Sequence, residues 1–189
     1  MTAAESYAEY LMRRSRLGGL YRRHVLYPRI CRRLRGRTLD VGCGLGDLLR
    51  FRPDTVGVDV NEHTVAYCRS RGLDARLMEP GVLPFEDASF DSALMDNVLE
   101  HIAEPASLLR ELHRVLRPDG RMLVGVPGEL GWDRDSDHKV RYDEASLDRT
   151  LAAGDFKLAE LFHTPLWRSA WLSRHLRQYC IFALYQPRR

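Results

Sequence analysis

Short apolar runs alternate with amphipathic stretches along most of the chain, the arrangement of a parallel sheet with helices packed against it. Thr38-Leu39-Asp40-Val41 reads as a first strand and ends in the cluster Gly42-Cys43-Gly44-Leu45-Gly46. Thr55 to Val60 reads as a second, followed by a helix from Asn61 to about Arg71, with Asn61 as its N-cap and Gly72 as its stop. Ala75 to Met78 and Phe90 to Met95 are the third and fourth strands. Leu108, Leu109, Leu112, Val115 and Leu116 then recur at helical spacing until Pro118-Asp119-Gly120 breaks the helix. Met122 to Val126 is a buried-looking fifth strand, and Gly128 to Tyr142 is a polar loop long enough to be functional. Asp143 to Ala153 reads as a helix closed by Gly154. Phe156 to Phe162 and Cys180 to Gln186 are the last two strands, with a helical segment from Trp167 to about Gln178 between them. This pattern predicts an α/β fold, doubly wound around a mostly parallel seven-stranded sheet with helices on both faces.

Composition narrows the class. A chain of 189 residues, 44% hydrophobic, suits one domain with a sizeable core, and 29% charged residues with a net charge of only +3 exclude a disordered chain. The small net charge hides a partition. Residues 1–37 carry ten Arg against two acids (net +8), residues 38–160 carry fourteen bases against twenty-four acids (net −10), and residues 161–189 carry five Arg and no acid. The partition sets residues 1–37 apart as an expected basic helical segment ahead of a domain of residues 38–189. Cys31, Cys43, Cys68 and Cys180 are scattered without a CxxC pair, so neither a disulfide framework nor a zinc site is readable. The start of the chain has Glu5 and no apolar core of a signal peptide, and no run of 18 apolar residues follows, so the expected location is cytoplasmic.

A strand ending in glycines, then a helix, then a strand ending in an acid is how open α/β sheets bind nucleosides. Asp59 stands at the end of the second strand, 17 residues after Gly42, where it can accept bonds from ribose hydroxyls. A dinucleotide fingerprint would place its third glycine at position 47, which is Asp47 here. A carboxylate there repels a pyrophosphate and tolerates a cofactor carrying a sulfonium and an ammonium. No Gly-Lys-Ser/Thr follows the glycines, so an ATP-binding P-loop is absent.

Leu39-Asp40-Val41-Gly42-Cys43-Gly44-Leu45-Gly46 resembles motif I of class I S-adenosylmethionine-dependent methyltransferases of the type 11 kind, which have a Rossmann-like fold. Leu83-Pro84-Phe85-Glu86-Asp87-Ala88-Ser89-Phe90-Asp91 is similar to the stretch leading into their fourth strand. Val98-Leu99-Glu100-His101-Ile102 and Leu116-Arg117-Pro118-Asp119-Gly120-Arg121 are similar to their later motifs, in the same order. The resemblance implies that Asp40, Gly42, Cys43, Gly44 and Gly46 line the methionine part of the cofactor. It implies that Asp59 holds the ribose, Val60 lies against the adenine, Glu79 accepts from the adenine amino group, and Asp96 and Asn97 border the methionine moiety. Glu79 and Asp96 also fit, less well, as ordinary loop carboxylates or helix caps.

Methyl transfer from a sulfonium is an in-line displacement, so positioning and exclusion of water carry much of the catalysis. A base is needed only where the acceptor must lose a proton. His101, five residues after Asp96, suits that role, and so does His138 in the long loop; both residues fit structural roles as well. The expected acceptor is a small or lipid-linked molecule, with oxygen slightly favoured as the methylated atom. The resemblance implies that the N-terminal segment caps the acceptor site, and the Arg pairs and tyrosines of residues 1–37 (Tyr7, Tyr10, Tyr21, Tyr27; Arg13-Arg14, Arg22-Arg23, Arg32-Arg33) then suit an anionic acceptor. Leu172, Leu176 and Tyr179, flanked by Trp167 and Trp171, form a stripe that fits core packing better than a membrane-resting helix. Nucleic acid is disfavoured, because Asp96-Asn97-Val98-Leu99 replaces the Asn/Asp-Pro-Pro-aromatic tetrad of base-amine methylating relatives. The rival class is an S-adenosylmethionine-binding accessory protein without turnover.

Overall fold

The computed structural model describes residues 16–188; Tyr7, Tyr10 and Arg13-Arg14 of the basic arm lie outside the described residues. The described residues open with a helix in three sections: α1 (Arg16–Tyr21), a π-helical turn (Arg22–Leu26) and α2 (Tyr27–Cys31). The α/β alternation follows: β1 (Thr38–Val41), α3 (Asp47–Phe51), β2 (Thr55–Asp59), α4 (Glu62–Ser70), β3 (Ala75–Leu77), β4 (Phe90–Asp96), a 3-10 turn (Leu99–His101), α5 (Ala106–Val115) and β5 (Leu116–Pro127). The last part comprises α6 (Glu129–Trp132), α7 (Glu144–Ala153), β6 (Phe156–Thr164), α8 (Ala170–His175) and β7 (Cys180–Pro187). The strands form one seven-stranded sheet in the order β3-β2-β1-β4-β5-β7-β6. The first five run parallel, and β7 pairs antiparallel with both β5 and β6.

Alternation along the central strands builds two cores. Ala93 and Met95 of β4 and Met122, Val124 and Val126 of β5 face Leu108, Leu109, Leu112 and Val115 of α5 and Leu147 and Leu151 of α7. On the other face, Leu94, Leu123, Phe182 and Leu184 meet Leu26, Tyr27, Ile30 and Leu34 of the N-terminal helix and the segment after it, with Leu48 of α3. The described part of the basic segment is thus one layer of the domain. Several of its arginines serve that layer. Arg33 ion-pairs with Glu160 and lies over the Phe162 ring, Arg29 donates to the Pro165 carbonyl, and Arg35 pairs with Asp119 at 2.8 Å.

Two predicted helices change more than the others. The helix expected to reach Leu116 ends at Val115, and Leu116 already pairs with Phe90; residues 117–120 bulge out before Arg121 rejoins the ladder opposite Ser92. The Pro-Asp-Gly signal therefore marks a bulge inside a strand. The predicted Trp167–Gln178 helix shrinks to α8, whose N-cap Ser169 accepts from the Leu172 N–H. Trp167 precedes it, and Trp167 and Trp171 are 68% and 65% exposed, so neither tryptophan packs in the core expected for that stripe.

Candidate functional site

The carboxyl ends of β1, β2 and β4 meet at the crevice where the strand order reverses, the place where open α/β sheets hold ligands. β1 runs into Gly42 and Gly46, at φ 70° and 72°, a left-handed conformation open to glycine at little cost. A Cβ on Gly42 would stand 2.5 Å from Val98 Cγ2, and one on Gly46 2.7 Å from Leu73 Cδ1. The turn is held across the crevice by Asp59, whose Oδ2 accepts from the Gly44 N–H at 2.9 Å and whose Oδ1 accepts from the Asn61 N–H at 2.9 Å. Cys43 is buried, and its neighbour Cys68 donates its thiol to the Gly44 carbonyl at 3.3 Å.

Three carboxylates share this end of the sheet. Asp40 and Asp59 are each 6% exposed, and Asp96 ends β4 with its Oδ1 accepting from Asn97 Nδ2 at 2.8 Å. Burial, aided by the charges of Asp96 and Asp59, holds the Asp40 carboxyl well above the usual carboxylate range. Burial also raises Asp59, outweighing the hydrogen bonds from Asn61 and Gly44. A ligand bringing positive charge here relieves that crowding.

The N-terminal helix supplies a counter-charge. Arg22, in the π-helical turn, reaches within 3.6 Å of Asp47 and acts on Asp96 through its field. Beside it, burial drives the Tyr27 hydroxyl far above its usual range, so the phenol stays neutral. Carboxylates with one guanidinium among them suit a zwitterionic group with excess positive charge.

Beyond β2 the surface changes character. Val60, Asn61, Glu62 and Leu77 line an open cavity of about 370 Å³, and Val60 and Leu77 are 58% and 49% exposed. Asn61 caps α4, accepting from the His63 and Thr64 N–H groups. Glu79 is exposed and forms an isolated bridge with Val82. Farther along, Arg114 of α5 donates to the Leu83 and Phe85 carbonyls, to Asp87, and with two nitrogens to Glu111. That pairing holds the Glu111 carboxyl down at about 2. A carboxyl depressed in the folded state stabilises it above its unfolded value, and the effect fades as pH falls through the folded value. Glu111→Gln is therefore expected to cost about 1 kcal/mol at pH 7, the scale of a partly exposed pair, and less at pH 3, as read by urea denaturation at both pH values.

At the far side of β4 the 3-10 turn carries Glu100 and His101. The long loop folds back on it: the Lys139 and Val140 N–H groups donate to the Glu100 carbonyl at 2.8 and 3.1 Å. This places the His138 ring 4.7 Å from the His101 ring, with Trp132 stacked on His138 at 4.9 Å. His138 Nδ1 lies 2.9 Å from the Trp132 carbonyl and its Nε2 lies 3.8 Å from Glu100 Oε1. The Glu100 side chain is 1% exposed, and neither carboxylate oxygen has a hydrogen-bond partner. Burial raises it to about 8. Burial and His138 lower His101, so its imidazole is neutral near pH 7.

The structure thus gathers Asp40, the glycine turn, Asp59, Asp96 and Asn97 around one crevice, with Val60 at one edge and Glu79 in the segment after β3. His101 and His138, 37 residues apart, stand together. Arg22 and Tyr27, which the sequence groups with the residues suiting an anionic acceptor, stand instead by Asp47 and Asp96, and Trp132 escaped sequence reasoning. Arg22 is one of ten arginines in its segment, and nothing local sets it apart.

Residues 39–124 match the family model described as a methyltransferase domain. A probable S-adenosylmethionine-dependent methyltransferase of Mycolicibacterium smegmatis is 34% identical over 160 residues, covering 76% of this chain and 62% of that protein. A fatty-acid O-methyltransferase of the same organism is 37% identical over 128 residues, covering 61% of this chain and 42% of its own length. The chain thus spans less than two thirds of the curated relatives it matches. Among solved structures, a putative methyltransferase in complex with the Trm112 activator of Haloferax volcanii has a similar fold, with a TM-score of 0.75 at 19% identity over 100% of this chain and 99% of the other. With the glycine turn, the acid ending β2 and the strand order all in place, residues 39–124 form a methyltransferase domain of the class I S-adenosylmethionine-dependent kind.

Proposed function

We propose that the chain transfers the methyl group of S-adenosylmethionine to an oxygen of a small or lipid-linked acceptor. The observation that carries the cofactor side is the convergence of Asp40, Asp59 and Asp96 on the glycine turn, with Arg22 opposite. A cofactor with one sulfonium, one ammonium and one carboxylate matches that charge pattern. Asp59 is in place to accept from ribose hydroxyls with the lone pairs that Gly44 and Asn61 leave open. Val60 and Leu77 offer the adenine an apolar edge beside Glu79, and Asp40, Gly42, Cys43, Gly44, Gly46, Asp96 and Asn97 surround the methionine part. Bound S-adenosylmethionine supplies an electrophilic methyl group.

The acceptor side is the cluster at the 3-10 turn. His101, neutral near pH 7, or His138 takes the proton of a hydroxyl acceptor, while the loop from Gly128 to Tyr142 covers the turn and excludes water. The relative named for fatty-acid O-methylation supports oxygen as the acceptor atom. Arg23 and Arg32, exposed on the described part of the basic segment, favour an anionic acceptor.

The test has two steps. Calorimetry with S-adenosylmethionine is expected to show saturable binding at one site, and a preference for NAD would overturn the assignment. Acceptor pools screened for transfer of a labelled methyl group then identify the substrate. On that substrate His101→Ala is expected to lower kcat about 100-fold or more if His101 is the base. Unchanged turnover would remove it from that role.

A further inference from the structure

We propose that Glu100, His101 and His138 bind a divalent transition-metal ion on the acceptor side of the crevice. The inference deepens the proposed methyl transfer and rests on it for the location of the acceptor. One carboxylate oxygen and one ring nitrogen from each histidine lie within 4.8 Å of one another. Ligands about 2.0–2.2 Å from a common ion stand roughly 3–3.6 Å apart, so small ring rotations close the set.

Three features fit ligation better than chance proximity. First, the Glu100 side chain is 1% exposed and neither of its oxygens has a hydrogen-bond partner, which is costly for a buried carboxyl group. Second, His138 Nδ1 faces the Trp132 carbonyl at 2.9 Å, so that nitrogen carries the proton and the lone pair of Nε2 points toward Glu100. Third, the His101 ring stands 4.7 Å from the His138 ring, which brings a second imidazole nitrogen to the same cluster as Glu100. A carbonyl on the second ring nitrogen is how ligating histidines are commonly oriented. The folded-back loop adds rigidity, since Lys139 and Val140 tie it to the backbone of Glu100 itself.

Two imidazoles and one carboxylate suit Zn²⁺, Co²⁺, Mn²⁺ or Fe²⁺ better than Mg²⁺, which favours oxygen ligands and its own waters. Three protein ligands leave a position open. An acceptor hydroxyl bound there gives its proton to solvent, and its oxygen then forms the bond to the methyl carbon as the carbon–sulfur bond breaks and a thioether departs. In that arrangement the imidazoles are ligands and do not act as bases.

The full chain, stripped with a chelator and titrated with Co²⁺, is expected to bind one equivalent with visible absorption of a four- or five-coordinate ion, displaced by Zn²⁺. Glu100→Gln and His138→Ala should each weaken that binding at least about 10-fold. His175→Ala, altering an exposed imidazole on α8, should not change it. Circular dichroism and S-adenosylmethionine calorimetry on each variant show that it is folded. Either of two results overturns the proposal: no stoichiometric binding by a protein that still takes up S-adenosylmethionine, or binding that both substitutions leave intact. An intense near-ultraviolet thiolate band insensitive to Glu100→Gln would place the ion on cysteines and equally sink it. Failure of S-adenosylmethionine binding alongside intact metal binding would refute the methyl-transfer reading alone.

Discussion

Replacing Asp59 with alanine is expected to weaken S-adenosylmethionine binding by about 100-fold or more, since hydrogen bonds to a charged group contribute about 1.5–3 kcal/mol each. Two losses add. The carboxylate no longer receives the ribose hydroxyls, and the Gly44 and Asn61 N–H groups lose the acceptor that ties the glycine turn to β2. Asp59→Asn keeps one carbonyl acceptor and should fall between wild type and Asp59→Ala. Calorimetry on the three proteins checks the ranking, and an unchanged dissociation constant for Asp59→Ala would remove this residue from the ribose site. Melting curves without cofactor separate a binding defect from a folding one. Loss of the acceptor for the Gly44 and Asn61 N–H groups should cost the empty protein about 1–3 kcal/mol.

The largest loss of stability is expected from Ile30→Ala. Ile30 is 0% exposed at the centre of the layer that α2 forms against Leu94, Leu123 and Phe182, and its truncation leaves a cavity that the sheet cannot close. Removing a fully buried side chain of this kind costs about 2–5 kcal/mol. For a domain of this size that corresponds to a fall in Tm of roughly 4–20 °C. Cofactor affinity should fall with it, because the same helix carries Arg22 and Tyr27 into the crevice. A variant that melts normally would show the N-terminal helix to be an ornament on an independently stable sheet.

The two parts of the molecule differ in how openly the sequence announces them. The central parallel strands β1 and β2 were readable because they are buried on both faces. Thr38–Val41 and Thr55–Asp59 have no exposed position, and such runs look continuous in any window. The glycine turn was readable because its conformation demands its residues. The bulge at residues 117–120 was not, for Pro-Asp-Gly is the same local signal whether a chain turns away or loops out and returns. The exposure of Trp167 and Trp171 was also hidden, since helical spacing says which residues share a side and not whether anything packs there. The meeting of Glu100 with His138 depends on two backbone bonds from Lys139 and Val140, a long-range contact that no periodicity encodes.

The place of β7 between β5 and β6 has a consequence for how the chain is made. Strands β1 to β5 can assemble as they leave the ribosome, each laid beside an earlier one. β6 cannot, because its neighbour in the sheet is synthesised after it. Until Cys180 to Pro187 emerge, the apolar residues of β6 have no partner strand and the β5 edge stays open. Most of the crevice can thus exist before the sheet is sealed, and a nascent chain that has already taken its cofactor would wait for its final strand with a stabilised amino-terminal half.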